Sequence, residues 1–348
     1  TYEGNSSTNH YVGGTGFSPD MVWIKSRSQG TTNYTGHHYI FDTVRGASKF
    51  VRPNSTAVET TDATYHKSFD TDGFTLGNKN NTNYNGDNFV AWNWDMGGTT
   101  ASNTSGSITS SVRANTAYGQ SIVSYSGTGS NATVGHGLAS APEFWLVKNR
   151  SVVKNWAVGT TQIPATNWMQ LEQTGGSDSG TTVWNSTYPS TSSINIGTAT
   201  VTNASGQDYI AYCWHSVTGY SKIGSYSGSG SSGNAITTGF SPAFVMTKRT
   251  DAVSNWIMWD NTRNPSNTAD KHLLANASSA EATATNPAID FTSTGFELAG
   301  NDSSFNASGG TYIYMAFADT REYAYWYDQS GNNNDWTSEG GLTESDVM

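Results

Sequence analysis

The stretch GFSPDMVWIK, residues 16–25, returns as GFSPAFVMTK at 239–248 and, more loosely, as LASAPEFWLVK at 138–148. Aligned on their prolines, Pro19, Pro142 and Pro242 stand 123 and 100 residues apart, and each is followed six positions later by a lysine, Lys25, Lys148 or Lys248. The runs MVWIK, FWLVK and FVMTK are almost continuously apolar. Such runs read as central strands buried on both faces, with the proline placed where its missing N–H costs no ladder bond.

Working outward, the copies stay in step. YEGNSS at 2, YSGTGS at 125 and YSGSGS at 226 place a tyrosine 17, 17 and 16 residues before the proline. Each copy closes on an aromatic segment, FVAWNW at 89, YIAYCW at 209 or YIYMAF at 312, whose last aromatic lies 75, 72 and 75 residues after the proline. Agreement across four landmarks marks a triplication. In the closing segments a two-residue period sets Val90, Trp92 and Trp94 against Phe89, Ala91 and Asn93, and Ile210, Tyr212 and Trp214 against Tyr209, Ala211 and Cys213. Helical periodicity is scarce. A unit of about 100 residues with frequent turn signals suits a two-sheet sandwich better than a propeller blade of about 40–50 residues.

The expectation is therefore an all-β chain of three tandem β-sandwich repeats, at 1–98, 118–219 and 220–319. The Ser- and Thr-rich segment 99–117 reads as a linker, and 320–348 as a C-terminal extension or the start of a further module. The junction at 219 has no linker, so the second and third repeats are expected to share an interface. The first copy lacks the SIVS (121–124) or SKIG (221–224) that precedes the tyrosine in the others, so its opening strand reads as cut short, with sequence expected upstream.

Composition narrows the function. Only 13% of residues are charged, 12% are aromatic, and the net charge is −10 with a pI near 5.0. A chain this aromatic folds, and it offers no basic surface for nucleic acid or anionic membrane. No apolar run approaches the roughly 18 residues of a membrane span, so membrane insertion is not expected. Cys213 is the sole cysteine and excludes an intrachain disulfide. Sequons at Asn5, Asn33, Asn54, Asn131, Asn203, Asn276 and Asn306 follow from so Asn- and Ser/Thr-rich a composition.

Catalytic patterns are sparse. Gly228, Gly230 and Gly233 spell G-x-G-x-x-G, but NAITTGF follows rather than a helix, so a turn is the better reading. Asp70, Asp72 and Gly73 imitate a calcium loop, yet Lys79 stands where a bidentate Glu belongs, which again favours a β-turn. DQSGNNND at 328–335 offers Asp328, Asn332 and Asp335 as calcium ligands, against the plainer reading of an Asx-rich turn. Cys213 alternates with Tyr209 and Ala211 on a buried face, which makes it a poor nucleophile. The repeats contain neither the paired carboxylates of a sandwich glycosidase nor a G-x-S-x-G elbow, so no enzyme is expected. The repeated lysines read as strand ends whose ammonium groups reach out to water.

GFSPDMVWIKSRS, FDTVRG, SFDTDGFTLG, GHGLASAPEFWLVKNRS, IAYCWHSVTGYSKIGSYSGSGS and YWYDQSGNNNDW together resemble a family of repeated β-domains in structural proteins of marine and other environmental bacteriophages. The likeness covers nearly the whole chain. It implies a virion protein, a tail fibre or surface decoration, with a concanavalin-like or jelly-roll sandwich, and it supplies no catalytic residues. On that expectation the protein is extracellular, on the virion, and forms a homo-oligomer, a trimer being favoured, together with other virion proteins. Triplication would lengthen a rod or a shell decoration. Exposed loops would bind host-surface glycans through Tyr34, Trp168, Trp184 and Trp259, unless these pack in cores or subunit interfaces. A secreted carbohydrate-binding array without a virion role is the alternative.

Overall fold

The computed structural model describes residues 1–28 and 34–319. In the first copy the chain forms β1 (Tyr2–Glu3), β2 (His10–Gly13), β3 (Met21–Ser26), β4 (Tyr39–Asp42), β5 (Lys49–Val51), β6 (Thr60–Thr61), β7 (His66–Asp70), β8 (Gly73–Leu76), the single turn α1 (Asn80–Asn83) and β9 (Asn88–Trp94). It continues through β10 (Ala101–Asn103), β11 (Ser110–Asn115), β12 (Gln120–Ser126), β13 (Ala132–Gly135), β14 (Phe144–Asn149), β15 (Trp156–Thr160), β16 (Asn167–Gln170), β17 (Asp178–Ser179), β18 (Ser193–Ile196), α2 (Thr200–Asn203) and β19 (Asp208–Trp214). The third copy supplies β20 (Ser221–Ser227), β21 (Asn234–Thr237), β22 (Phe244–Arg249), β23 (Trp256–Asp260), β24 (Lys271–Leu274), β25 (Ala282–Thr283), β26 (Ile289–Thr292), β27 (Gly295–Leu298) and β28 (Thr311–Phe317).

The three proline-led phrases become β3, β14 and β22, each central in an antiparallel sheet and buried at nearly every position. Strand order repeats with them: β1-β9-β3-β4-β5-β6, β12-β19-β14-β15-β16-β17 and β20-β28-β22-β23-β24-β25. Smaller sheets, β2-β8-β7, β13-β18 and β21-β27-β26, accompany the large ones. Three apolar clusters lie between large and small sheets, holding Phe74 and Phe89 in the first, Val134 and Tyr209 in the second, and Phe296 and Tyr314 in the third. The layers are thus sandwich-like. Segment 99–117, expected as a linker, carries β10 and β11, which widen the second large sheet beyond β12. Its Ser and Thr content concealed Ile108 and Val112, both buried in the second core.

The Y-x-G landmark has a local cause. The hydroxyls of Tyr2, Tyr125 and Tyr226 donate at 2.7 Å to the carbonyls of Thr82, Thr202 and Phe305. The glycine two residues later passes the opposite strand so closely that a Cβ on Gly4, Gly127 or Gly228 would lie 2.2, 2.4 or 2.1 Å from a carbonyl oxygen. Glycine is required there by close approach of backbone.

The alternation of the closing strands decides the tertiary arrangement. One face, with Phe89, Tyr209 and Tyr314, fills the three separate cores. The other, with Trp92, Trp94, Tyr212, Trp214, Met315 and Phe317, joins a fourth cluster drawn from all three copies. The large sheets therefore turn their outer faces inward around one shared core, and the copies close into a ring rather than extend in a line.

Candidate functional site

Three equivalent seams close this ring, and the repeated residues build them. At one position of β4, β15 and β23 or just before it, a ring nitrogen bonds a carbonyl of the neighbouring copy: Trp156 to Arg52 at 2.8 Å, Trp256 to Gln170 at 3.0 Å, and His38 to Leu274 at 3.0 Å. The second copy thus holds the first, the third holds the second, and the first holds the third. Backbone bonds follow the same circuit, from Glu59 N–H to Arg150, Ser177 to Thr250 and Glu281 to Arg27.

Lys25, Lys148 and Lys248 are fully buried at these seams, contrary to the expectation that they reach water. Their strand ends are covered by the adjacent copy. Lys148 Nζ donates to the Thr56 carbonyl across the seam at 2.9 Å and to the Lys154 carbonyl of its own copy. Lys248 Nζ does the same with Thr174 at 3.0 Å and Ser254 at 2.8 Å, whereas Lys25 bonds the carbonyl of Ser26 at 2.6 Å. Burial pushes Lys25 down to about 7, helped by Arg263, and lowers Lys148 and Lys248 to about 8.

Two seams also bury charge. Arg45 pairs with Asp42 at 2.5 Å, and the Tyr212 hydroxyl from the second copy donates to that carboxylate at 2.6 Å. Arg263 pairs with Asp260 at 2.6 Å, and Trp92 Nε1 of the first copy donates to it at 3.0 Å. Burial alone would raise Asp260, but the Arg263 guanidinium carries it below the usual carboxylate range. Glu59 is held low against burial by Arg150 and Arg45. The third seam has Met315, Thr160 and Ile163 at the corresponding positions, none of them charged.

Between the first and third copies opens a cleft of about 190 Å³, lined by Trp92, Trp94, Tyr118, Tyr220, Phe244 and Phe317, with Asn93, Asp95 and Asn261 among its polar groups. Tyr118 and Tyr220 meet with ring centroids 4.6 Å apart, and the Tyr220 hydroxyl bonds Gln120 at 3.0 Å. Outside the cleft, Asp20 is pushed up to about 6 by burial, although Arg113 lies 2.8 Å away.

The expected glycan contacts do not meet in one place or offer free ring faces. Trp184 packs edge-on to Trp145 at 5.3 Å, and Trp259 packs against Phe305 at 5.9 Å. Both are buried, as is Tyr34, whose hydroxyl bonds Asp87 and Ser26. Trp168 is partly buried against the second core. A sugar cannot stack on a ring already covered on both faces, so Tyr34, Trp184 and Trp259 are packing residues. Asp328, Asn332 and Asp335 lie outside the described residues. Among the described residues no group of three or more His, Cys, Asp or Glu is placed to hold a metal, and no helix is long and apolar enough to cross a membrane. Burial raises the Cys213 thiol to about 12.

Sequence reasoning missed a triplet of buried asparagines. Asn83, Asn203 and Asn306 each donate twice through Nδ2, to Ser7 and Gly77, to Ser130 and Gly197, and to Ser231 and Gly300. Each also accepts from a backbone N–H, of Asn5, Thr128 or Ser229. The signal was present: Asn-x-x-Gly recurs with its asparagine 11 residues before the last aromatic of every copy.

Fold and seams define an all-β, threefold-repeated body of antiparallel sheets. The chain belongs to a family described as a domain of unknown function, DUF7483, whose model matches residues 1–321. No curated protein and no solved structure matches it.

Proposed function

We propose that the protein is a structural component of a bacteriophage particle, a tail fibre or surface decoration built from three tandem sandwiches of jelly-roll or concanavalin-like form. The observation that carries this reading is the closed threefold core. Repeated residues hold the copies together across its seams, through the buried Lys148 and Lys248, aromatic N–H groups and two carboxylate–arginine pairs. A body so constructed resists unfolding and proteolysis, which suits an extracellular particle, and its pseudo-threefold shape matches the symmetry of a trimeric fibre or a three-fold position on a shell. Its partners would be other virion proteins and further copies of itself. The resemblance of its motifs to phage β-domains points the same way.

Mass spectrometry of purified particles from a phage encoding the protein tests this directly. A constant copy number per particle, with antibody labelling at one place on the virion, is expected. A chain found only in the lysate supernatant, as a soluble monomer with saturable glycan binding, would replace this reading with the secreted carbohydrate-binding array.

A further inference from the structure

The three seams are not built alike. Trp156 and Trp256 close two of them with an indole N–H, a donor that does not titrate near neutral pH. At the matching place beside β4 the first copy has His38, and the exchange is a paired one. The neighbouring position on β3 is Trp23, where the other copies have Leu146 and Met246. Trp23 Nε1 bonds His38 Nδ1 at 2.9 Å with the two rings edge-on. An indole nitrogen only donates, so Nδ1 accepts and the imidazole proton sits on Nε2, aimed across the seam at the Leu274 carbonyl 3.0 Å away. The bond pattern therefore requires a neutral His38. A second ring proton would set Nδ1–H against the Trp23 N–H, two donors face to face in a fully buried site. This seam also has little reserve. Lys148 and Lys248 each bond a carbonyl of the neighbouring copy, whereas Lys25, among the described residues, bonds only Ser26 of its own. The Glu281 N–H donates to the Arg27 carbonyl at 2.8 Å, and the Glu281 carboxylate is held by Arg27 and Arg263.

We propose that Trp23 and His38 form an acid-sensitive latch, and that in mild acid the ring opens at the seam between the first and third copies while the other two seams stay closed. Opening leaves the separate cores of the copies untouched and uncovers shared-core aromatics such as Trp92 and Phe244. The groups facing His38 are Lys25 on β3, His37 beside it, and the backbone of Leu274 and Ala277 from the third copy. Arg52 and Lys25 face His37, and Arg263 and Glu281 face Lys25. Burial, followed by Lys25 and then His37, holds His38 well below the ordinary histidine range, although the Leu274 and Ala277 backbone pulls the other way. The open seam takes up a proton that the closed one excludes, so closure weakens as pH falls below the ordinary histidine value of about 6.5. Lys25, at about 7, titrates above that window.

Hydrogen exchange on the intact chain tests this, because each seam carries its own reporter: the amides of Glu281, Glu59 and Ser177, bonded to Arg27, Arg150 and Thr250. Between pH 6.5 and 5.0 the protection factor of the Glu281 amide is expected to fall about 15-fold, with those of Glu59 and Ser177 unchanged. Two variants isolate the cause. Trp23→Leu together with His38→Trp installs the pair of the second copy, and His38→Gln keeps one acceptor and one donor at the site without a titrating ring. Each is expected to hold the Glu281 protection constant over the same range. A fall that persists in His38→Gln overturns the proposal by assigning the acid response to the Glu281 ion pairs. Equal loss at all three seams, or no loss at Glu281 in the unaltered chain, overturns it as well.

Discussion

At the scale of single residues, the buried asparagines carry the clearest consequence. Replacing Asn203 by Ala removes donors from the Ser130 and Gly197 carbonyls, at 2.6 and 2.8 Å, and an acceptor from Thr128 N–H. The expected loss in a urea melt is about 1–3 kcal/mol, as for buried polar groups left unpaired. Asn203 and Asn306 also sit in sequons, yet both are fully buried with their Nδ2 hydrogens engaged. Intact mass after secretion from a glycosylating host is expected to show neither folded site occupied. The lysines set a pH dependence. Their folded pKa values, about 7 for Lys25 and about 8 for Lys148 and Lys248, lie below the ordinary lysine value, so between those values and the ordinary one the unfolded chain binds more protons. Stability therefore rises as pH increases through that window. Above about 10 the buried tyrosines, raised in the fold, reverse the trend because the unfolded chain loses their protons first. Urea midpoints from pH 6 to 9.5 check the rise, and Lys25→Met should make it shallower, leaving the shares of Lys148 and Lys248, while adding about 1–4 kcal/mol at pH 6.

At the scale of elements, the seams invite exchange. Asp42→Ala leaves Arg45 buried without its closest partner and is expected to cost about 3–5 kcal/mol. Asp42→Thr, Arg45→Ile and Tyr212→Met together install the uncharged set of the third seam, Thr160, Ile163 and Met315, and should cost far less than Asp42→Ala alone. Chemical denaturation of the two variants decides it. The elements themselves were legible: an apolar run after proline and a two-residue alternation gave β3, β14, β22 and the closing strands, because burial on both faces leaves a local trace. The seams were not. Whether Lys148 meets water or the Thr56 carbonyl depends on a neighbour 92 positions away, which no local pattern encodes. The burial of Tyr34, Trp184 and Trp259 was illegible for the same reason, since an aromatic on a covered strand and one in an open loop look alike in sequence. Strand β10, at the sheet edge, and β11 beside it were hidden by their polar composition, which an edge strand tolerates.

At the scale of the molecule, one core built from all three copies implies one transition. Calorimetry should give a single cooperative unfolding event, and an isolated second copy, with Tyr212, Trp214 and Phe144 uncovered, should aggregate or fail to fold. Small-angle scattering of a monomer should return a radius of gyration of about 20 Å, the value for a compact chain of this length. A line of three separate domains would exceed it clearly.

Thr1 and Asp319 line the same cleft, so both ends of the described body emerge where the first and third copies meet. Tension applied between them does not pass through the three copies in series. It falls most directly on a single seam, across the Arg27–Glu281 ion pair and the Trp92–Asp260 bond, while the longer path through the other two joints takes a smaller share. Anchored by both ends, the body behaves mechanically as a clasp, giving way at one hinge line before any sheet is pulled apart.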